Sequence, residues 1–257
     1  MCVLKATLCL AATVHGLQLP SLYTTHQTAR SSVRMVSELD AAKEAQIREQ
    51  LEGKPTMRHT SSTPTEAAAK QVSFEEAQDL GATLATMLTE SCAAGEPMPA
   101  EAVATLRALI STTAGARGWF VTLLTDPAFE PVFRPPLDEA LLEAIEASPD
   151  PNIKLMTMNV AMSTATELVH LANGNDDLAA ASRMTSERST VLLTTLLDRL
   201  PGLREAAEAL LAAVQPDDDS AAADDDGSRA EWLKFCKKWG YKAEQKAAIR
   251  NKLESLL

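Results

Sequence analysis

A chain of 257 residues with 46% apolar side chains holds enough material for one domain of ordinary size plus appendages. Its formal net charge of −11 argues against the whole chain being a binder of nucleic acid or of an anionic membrane. Aromatic residues make up only 4%, and no alternating run of Val, Ile, Tyr or Phe reads as a strand, so the composition predicts an all-α protein.

The first acidic residue is Glu38. Before it, Lys5 precedes an apolar run over residues 6–14, and Val14-His15-Gly16 offers a small-residue cleavage site, the layout of a secretory signal peptide. A stretch with Tyr23, Thr24, Thr25, Arg30, Ser31, Ser32 and Arg34 follows, with the composition of a transit peptide. The tandem resembles the bipartite leaders of algae with complex plastids, although Leu17 stands where such leaders often carry an aromatic residue. Residues 1–36 are therefore read as a targeting presequence to the plastid, the stroma in particular, with a mitochondrial or secreted destination as the alternative. The apolar run is too short to span a bilayer, and no other segment is suited to it. Of four cysteines, Cys2 and Cys9 fall in this leader; Cys92 and Cys236 are too far apart in sequence to suggest a disulfide framework or a metal motif.

Residues 37–72 read as an isolated helix over 38–53, started by Ser37, and a Pro- and Ser/Thr-rich linker over 54–71. A bundle domain is predicted over 73–214. It begins at Ser73-Phe74-Glu75-Glu76, a capping box, and its first helix places Ala77, Leu80, Leu84, Met87, Leu88 and Cys92 on one face before Gly95. Pro99 is expected to open one helix reaching Thr125, with Leu106, Ile110, Thr113, Val121 and Leu124 on its face and Arg117 at the centre. A buried arginine needs a partner, and Glu167 or Glu187 could supply it. Gly115 and Gly118 would admit a close neighbour. The proline-punctuated stretch 126–136 has Phe129, Val132 and Phe133 to bury, so it reads as a strap, followed by a short helix near 137–147.

Residues 150–200 form the centre of the plan, two long helices joined at Gly174. Asp150 before Pro151 is a start signal, and Asn175 or Asp176 can cap the second helix. No charge occurs from Leu155 to Thr166, the mark of an interior helix. At about 100° per residue, Asn152, Asn159, Ser163, Thr166 and His170 share one line. The second helix answers with Leu178, Ser182, Thr185, Ser189, Leu192, Leu196 and Leu200, so that Ser163 and Thr166 should meet Ser182, Thr185 and Ser186. This seam is either a tight contact with its hydroxyls satisfied internally or a polar-lined ligand cavity using Arg117, Asn159, Ser163 and His170.

Pro201 is expected to open a further helix. Residues 215–227 carry two Asp triplets and read as a solvated acidic linker. Residues 228–257 form a separate, basic helical hairpin, started by a second capping box at Ser228 and Glu231. Trp232, Phe235, Cys236 and Trp239 follow at helical spacing, with Lys237 and Lys238 beside them, so Trp232, Phe235, Lys237, Lys238 and Trp239 are candidate partner-docking residues. The order Gly240, Lys242, Ile249 and Leu253 resembles SAP-type hairpins, which bind DNA, but lacks the second glycine of that motif.

Residues 116–121 and 159–165 are similar to uncharacterised helical proteins of cyanobacteria and algae, a resemblance that covers roughly residues 99–200. It implies a plastid setting and a helical fold, and no activity. No Gly-rich phosphate loop, nucleophile elbow or His/Cys cluster is present in the sequence, and no cofactor or metal is implied. The sequence therefore points first to a non-enzymatic assembly or interaction protein. A small-ligand or pigment binder built on the seam and a nucleoid-associated protein binding through the tail are the alternatives.

Overall fold

The computed structural model describes residues 65–216 and 227–257. The presequence, the helix expected over 38–53 and most of the acidic linker lie outside the described residues. Within them every regular element is a helix, as the composition requires, and none is long and apolar enough to cross a membrane.

The segment read as the end of a linker contains a short helix, α1 (Glu66–Ala69), because Thr65 accepts from the Ala68 N–H and the Ala run that follows has high helix propensity. Ala69 is buried, and α1 packs on α3 (Ala100–Ile110). Ahead of α2 (Phe74–Ala94) the capping box forms in full. Ser73 Oγ accepts from Glu76 N at 3.2 Å, and Glu76 Oε2 accepts from Ser73 N at 2.7 Å. Gly95 ends α2 in the left-handed region at φ 68°.

The single helix expected from Pro99 to Thr125 is two, α3 and α4 (Thr113–Thr125). Thr112 turns the chain to φ −112°, ψ 151° and caps the new helix by accepting from Gly115 N at 3.1 Å. A Cβ on Gly115 would stand 1.9 Å from the Leu109 carbonyl oxygen, so the reversal needs glycine there. Gly118 admits α2: a Cβ on it would meet the Ala77 Cβ at 2.5 Å. The break also resets the helical phase. Ala116, Trp119, Phe120, Leu123 and Leu124 face the core, while Thr113 is exposed and Arg117 is only half-buried, which corrects its expected place at the centre of a buried face.

The strap (Pro127–Phe133) is a 3-10 helix that buries Phe129, Val132 and Phe133 against α2. After it come α5 (Glu139–Glu146), capped by Asp138, and the central pair α6 (Pro149–Ala172) and α7 (Asp176–Leu196). The start of α6 lies one residue before the expected one: Ser148 is the N-cap, Pro149 the first helical residue, and Asp150 sits in the first turn, where its charge complements the helix dipole. Gly174, at φ 69°, makes the turn between them. α6 and α7 share the most extensive helix contact in the molecule. Arg199 ties the end of this pair to α5 through Glu139 and Glu146.

Helix α8 (Leu203–Ala213) starts after Gly202 rather than at Pro201. The hairpin, α9 (Ser228–Trp239) and α10 (Ala243–Glu254), does not stand apart. α9 packs on α8, and α10 packs on α6 and α8. Trp232, Cys236, Ile249 and Leu253 join the same buried core as Leu84, Phe120 and Leu193. Burial of each such large apolar side chain contributes about 1.5–3 kcal/mol, so the hairpin is held firmly. The second capping box is not made: Gly227 is the N-cap, Ser228 is already helical, and no side chain caps the start.

Candidate functional site

Two regions concentrate the chemistry singled out in the sequence. The first is the seam between α6 and α7. Ser163 Oγ donates to the Asn159 carbonyl of its own helix. Thr185 Oγ1 donates to Ala181 O at 3.0 Å, and Ser189 Oγ to Thr185 O at 2.7 Å. The hydroxyl bond that crosses the seam joins Thr164 Oγ1 and Ser186 Oγ at 3.0 Å, so the crossing partner on α6 is Thr164 rather than Ser163 or Thr166. Asn152 is fully buried, and its Nδ2 donates to Ser148 O at 2.7 Å and to Ile110 O and Ile145 O at 3.4 Å, binding the ends of α3 and α5 to the start of α6. Asn159 and Thr166 are half-buried. His170 is 6% exposed, and burial lowers the basicity of its imidazole. Its carbonyl accepts from Asn175 N at 2.9 Å across the Gly174 turn. The seam's short side chains thus let two backbones approach closely, and the hydroxyls bond mostly along their own helices.

Arg117 does not reach the partners expected for it. Its guanidinium lies over the Phe74 ring, 5.3 Å from the centroid, and Glu167 is bonded by Arg183 at 2.7 Å. Among the described residues the buried cation is instead Arg188, 4% exposed. Its Nη1 donates to Leu123 O and Leu124 O at 3.2 Å and to Asp126 O at 2.7 Å, and its Nη2 to Pro127 O at 3.4 Å. The guanidinium also covers the Phe133 ring at 5.0 Å. Arg188 therefore satisfies the terminal carbonyls of α4 and fixes the strap, with its charge at the negative end of the α4 dipole. Burial opposes its charge, and the nearby carboxylates of Glu130 and Asp126 favour it. Helical spacing could have found it, since Arg188 lies between Thr185 and Leu192 on the face read as buried.

The second region is the edge of the C-terminal hairpin. Trp232 points into the core, while Phe235, Trp239 and Tyr241 are half-buried. Phe235 is the centre of an aromatic cluster, with ring centroids 5.3 Å from Trp232, 6.3 Å from Trp239 and 5.8 Å from Tyr241. Lys237, Lys238 and Lys242 of the same hairpin are exposed. Desolvation pushes the Tyr241 hydroxyl up, so it stays protonated across the physiological range. Of the docking candidates, Trp232 is thus mainly an internal anchor, whereas Phe235 and Trp239 share one partly exposed side of α9 with Lys238 flanking Phe235, and Lys237 lies on nearly the opposite side of the helix.

One residue that sequence reading missed fixes where this edge lies. Gln245 Oε1 accepts from the Lys242 N–H at 2.9 Å, and its Nε2 donates to Ala165 O at 3.3 Å. The turn of the hairpin is thereby pinned beside the last two turns of α6. Lys154 and Glu231 add an ion pair at 3.3 Å between α6 and α9. Among the described residues, no group of three or more His, Cys, Asp or Glu side chains is placed to hold a metal ion.

No curated protein and no solved structure matches the chain. A family model described as "Uncharacterised conserved protein UCP020893" matches residues 73–256. That span begins at the Ser73 cap and takes in the hairpin, which is wider than the resemblance over residues 99–200 suggested. The chain belongs to this family, and bundle and hairpin together are the unit that the family shares.

Proposed function

We propose that this chain is a non-enzymatic, soluble protein of the plastid stroma that serves as an assembly or interaction factor and docks its partner on the outer edge of α9. The observation that carries this reading is the division of the hairpin's aromatic residues. Trp232 and Cys236 hold the hairpin to the body, while Phe235 and Trp239 stay partly exposed on one side of α9, with the exposed Lys238 flanking Phe235. A tryptophan on a rigid support is a common anchor of protein interfaces, because it offers a large contact area at little entropic cost. The plastid setting rests on the composition of the first 37 residues. A ligand- or pigment-binding role for Arg117, Asn159, Ser163 and His170 draws less support, since Arg117 lies on Phe74 and the Ser163 hydroxyl is bonded within its helix.

Deleting the hairpin would remove core residues, so point variants are the sounder test. The full chain, Trp239→Ala and Lys237→Glu/Lys238→Glu are each used to capture proteins from isolated plastids. Both variants should lose proteins that the parent retains. A retained set that is the same for all three removes the docking role of this edge.

A further inference from the structure

The side of α9 that faces the body is marked by the buried Trp232 and Cys236. At about 100° per residue Lys234 lies opposite them, and Lys237 and Lys238, three and four residues on, fall within about 60° of it. All three are exposed, so they make one outward face about 6 Å long. Phe235 and Trp239 run beside this face as a half-buried aromatic row, with Lys238 nearest to Phe235. Elsewhere among the described residues exposed cations are met by carboxylates, as in Arg107 with Glu143, Arg134 with Glu130 and Arg204 with Asp198. No carboxylate of the described residues is placed against Lys234, Lys237 or Lys238. Glu231, a turn before Lys234 on the same helix, bonds Lys154 instead, at 3.3 Å.

Like charges three and four residues apart on a helix repel one another. Lys237 and Lys238 lie in the last turn of α9, where they complement its dipole, but Lys234 lies before that turn, so the dipole does not account for the cluster. The hairpin carries eight basic and three acidic side chains in a chain of net charge −11. A nucleic acid duplex or an anionic membrane extends far beyond the reach of this face, about 8 Å at physiological salt, and would bring its charge against the acidic remainder. Carboxylates one turn apart on a peptide helix, with Cβ atoms about 5–6 Å from each other, match the length of the face instead. We propose that the outward face of α9 takes an acidic segment of a partner protein. Carboxylates on one or two turns of that segment meet Lys234, Lys237 and Lys238, and an apolar side chain beside them covers Phe235 and Trp239. The inference rests on the docking role of α9 given above and names the chemistry of the partner. The contact weakens as salt rises, because its charges are exposed.

The test is fluorescence anisotropy of the full chain with a labelled helical peptide of about four turns that carries Glu in one i, i+4 row and Leu in the next. The same peptide with Lys in place of Glu, a short DNA duplex and vesicles of phosphatidylglycerol, the last read by co-sedimentation, are the comparison probes. The parent should bind the Glu peptide, more weakly as salt is raised, and leave the Lys peptide free. Lys234→Glu/Lys238→Glu should weaken that binding by roughly tenfold or more. Lys70→Glu/Lys252→Glu makes the same change of charge outside α9 and should alter it far less. Circular dichroism confirms that both variants keep the parent's helix content. A Glu peptide that does not bind overturns the proposal, as does an equal loss in the two variants or tighter binding of the duplex or the vesicles. The docking reading is judged apart from this, by capture from plastids. A protein lost by Trp239→Ala but kept by Lys234→Glu/Lys238→Glu leaves the docking role standing and removes the acidic segment.

Discussion

The α6–α7 seam and the edge of α9 are both unusual stretches of sequence, one for its uncharged polar residues and the other for its aromatic and basic ones. In the seam the buried hydroxyl groups are bonded. Ser163, Thr185 and Ser189 bond within their own helices, and Thr164 meets Ser186 across the contact. At the edge only part of the chemistry is used, since Trp232 is buried while Phe235 and Trp239 are half-open beside exposed lysines. A polar residue inside a helical body mainly contributes to packing and specificity, whereas an aromatic residue left at a rim retains free energy for a partner. On the function proposed above, the contrast gives stability to one region and recognition to the other.

Five substitutions and a pH titration would break or sharpen that contrast. The largest effect is expected from Arg188→Met, which strands the carbonyls of Leu123, Leu124, Asp126 and Pro127 at the end of α4. A loss of about 3–5 kcal/mol should appear in urea unfolding. Gly118→Ala forces a Cβ into Ala77 and should cost about 1–3 kcal/mol, seen as a lower Tm, with the α9 edge left intact. Thr164→Val paired with Ser186→Ala in a double-mutant cycle should give a coupling of about 1 kcal/mol, the usual worth of one buried hydrogen bond. By contrast, Trp239→Ala should change stability by less than about 1 kcal/mol in the same assay, because its ring is only partly covered.

His170 gives the pH arm. Burial lowers its folded pKa below the unfolded value, so the unfolded chain takes up the proton first as pH falls. Its contribution is present above about pH 6.5 and is lost as pH falls through the folded value. Urea unfolding from pH 7.5 down to pH 5 should show the parent losing stability more steeply than His170→Gln. Equal slopes would mean that His170 is not protonated at a cost in the folded state.

The sequence was most readable where one residue dictates local geometry. The Ser73 capping box, the left-handed Gly95 and Gly174, and the buried aromatics of the strap all follow from side-chain chemistry acting over a few residues. Phase was harder to read. Apolar residues continue across Ser111 and Thr112 at nearly helical spacing, so the break was hidden, and with it the fact that Arg117 turns out of the core. Helical spacing between Thr185 and Leu192 signals that Arg188 is buried, but its partners are backbone carbonyls of α4 and the strap, which no pattern of charged residues can signal. The docking of the hairpin escaped notice for a related reason. Trp232 and Ile249 announce that something will be buried, but which surface receives them depends on contacts with α6 and α8 that are distant in sequence, such as the bond from Gln245 to Ala165.

The division between a sealed seam and an open edge is tested most directly by comparing Trp239→Ala with Thr164→Val in one capture experiment from isolated plastids, with retained proteins measured by quantitative mass spectrometry. The account predicts that Trp239→Ala loses specific partners while Thr164→Val keeps them. Partners lost with Thr164→Val and kept with Trp239→Ala would contradict it.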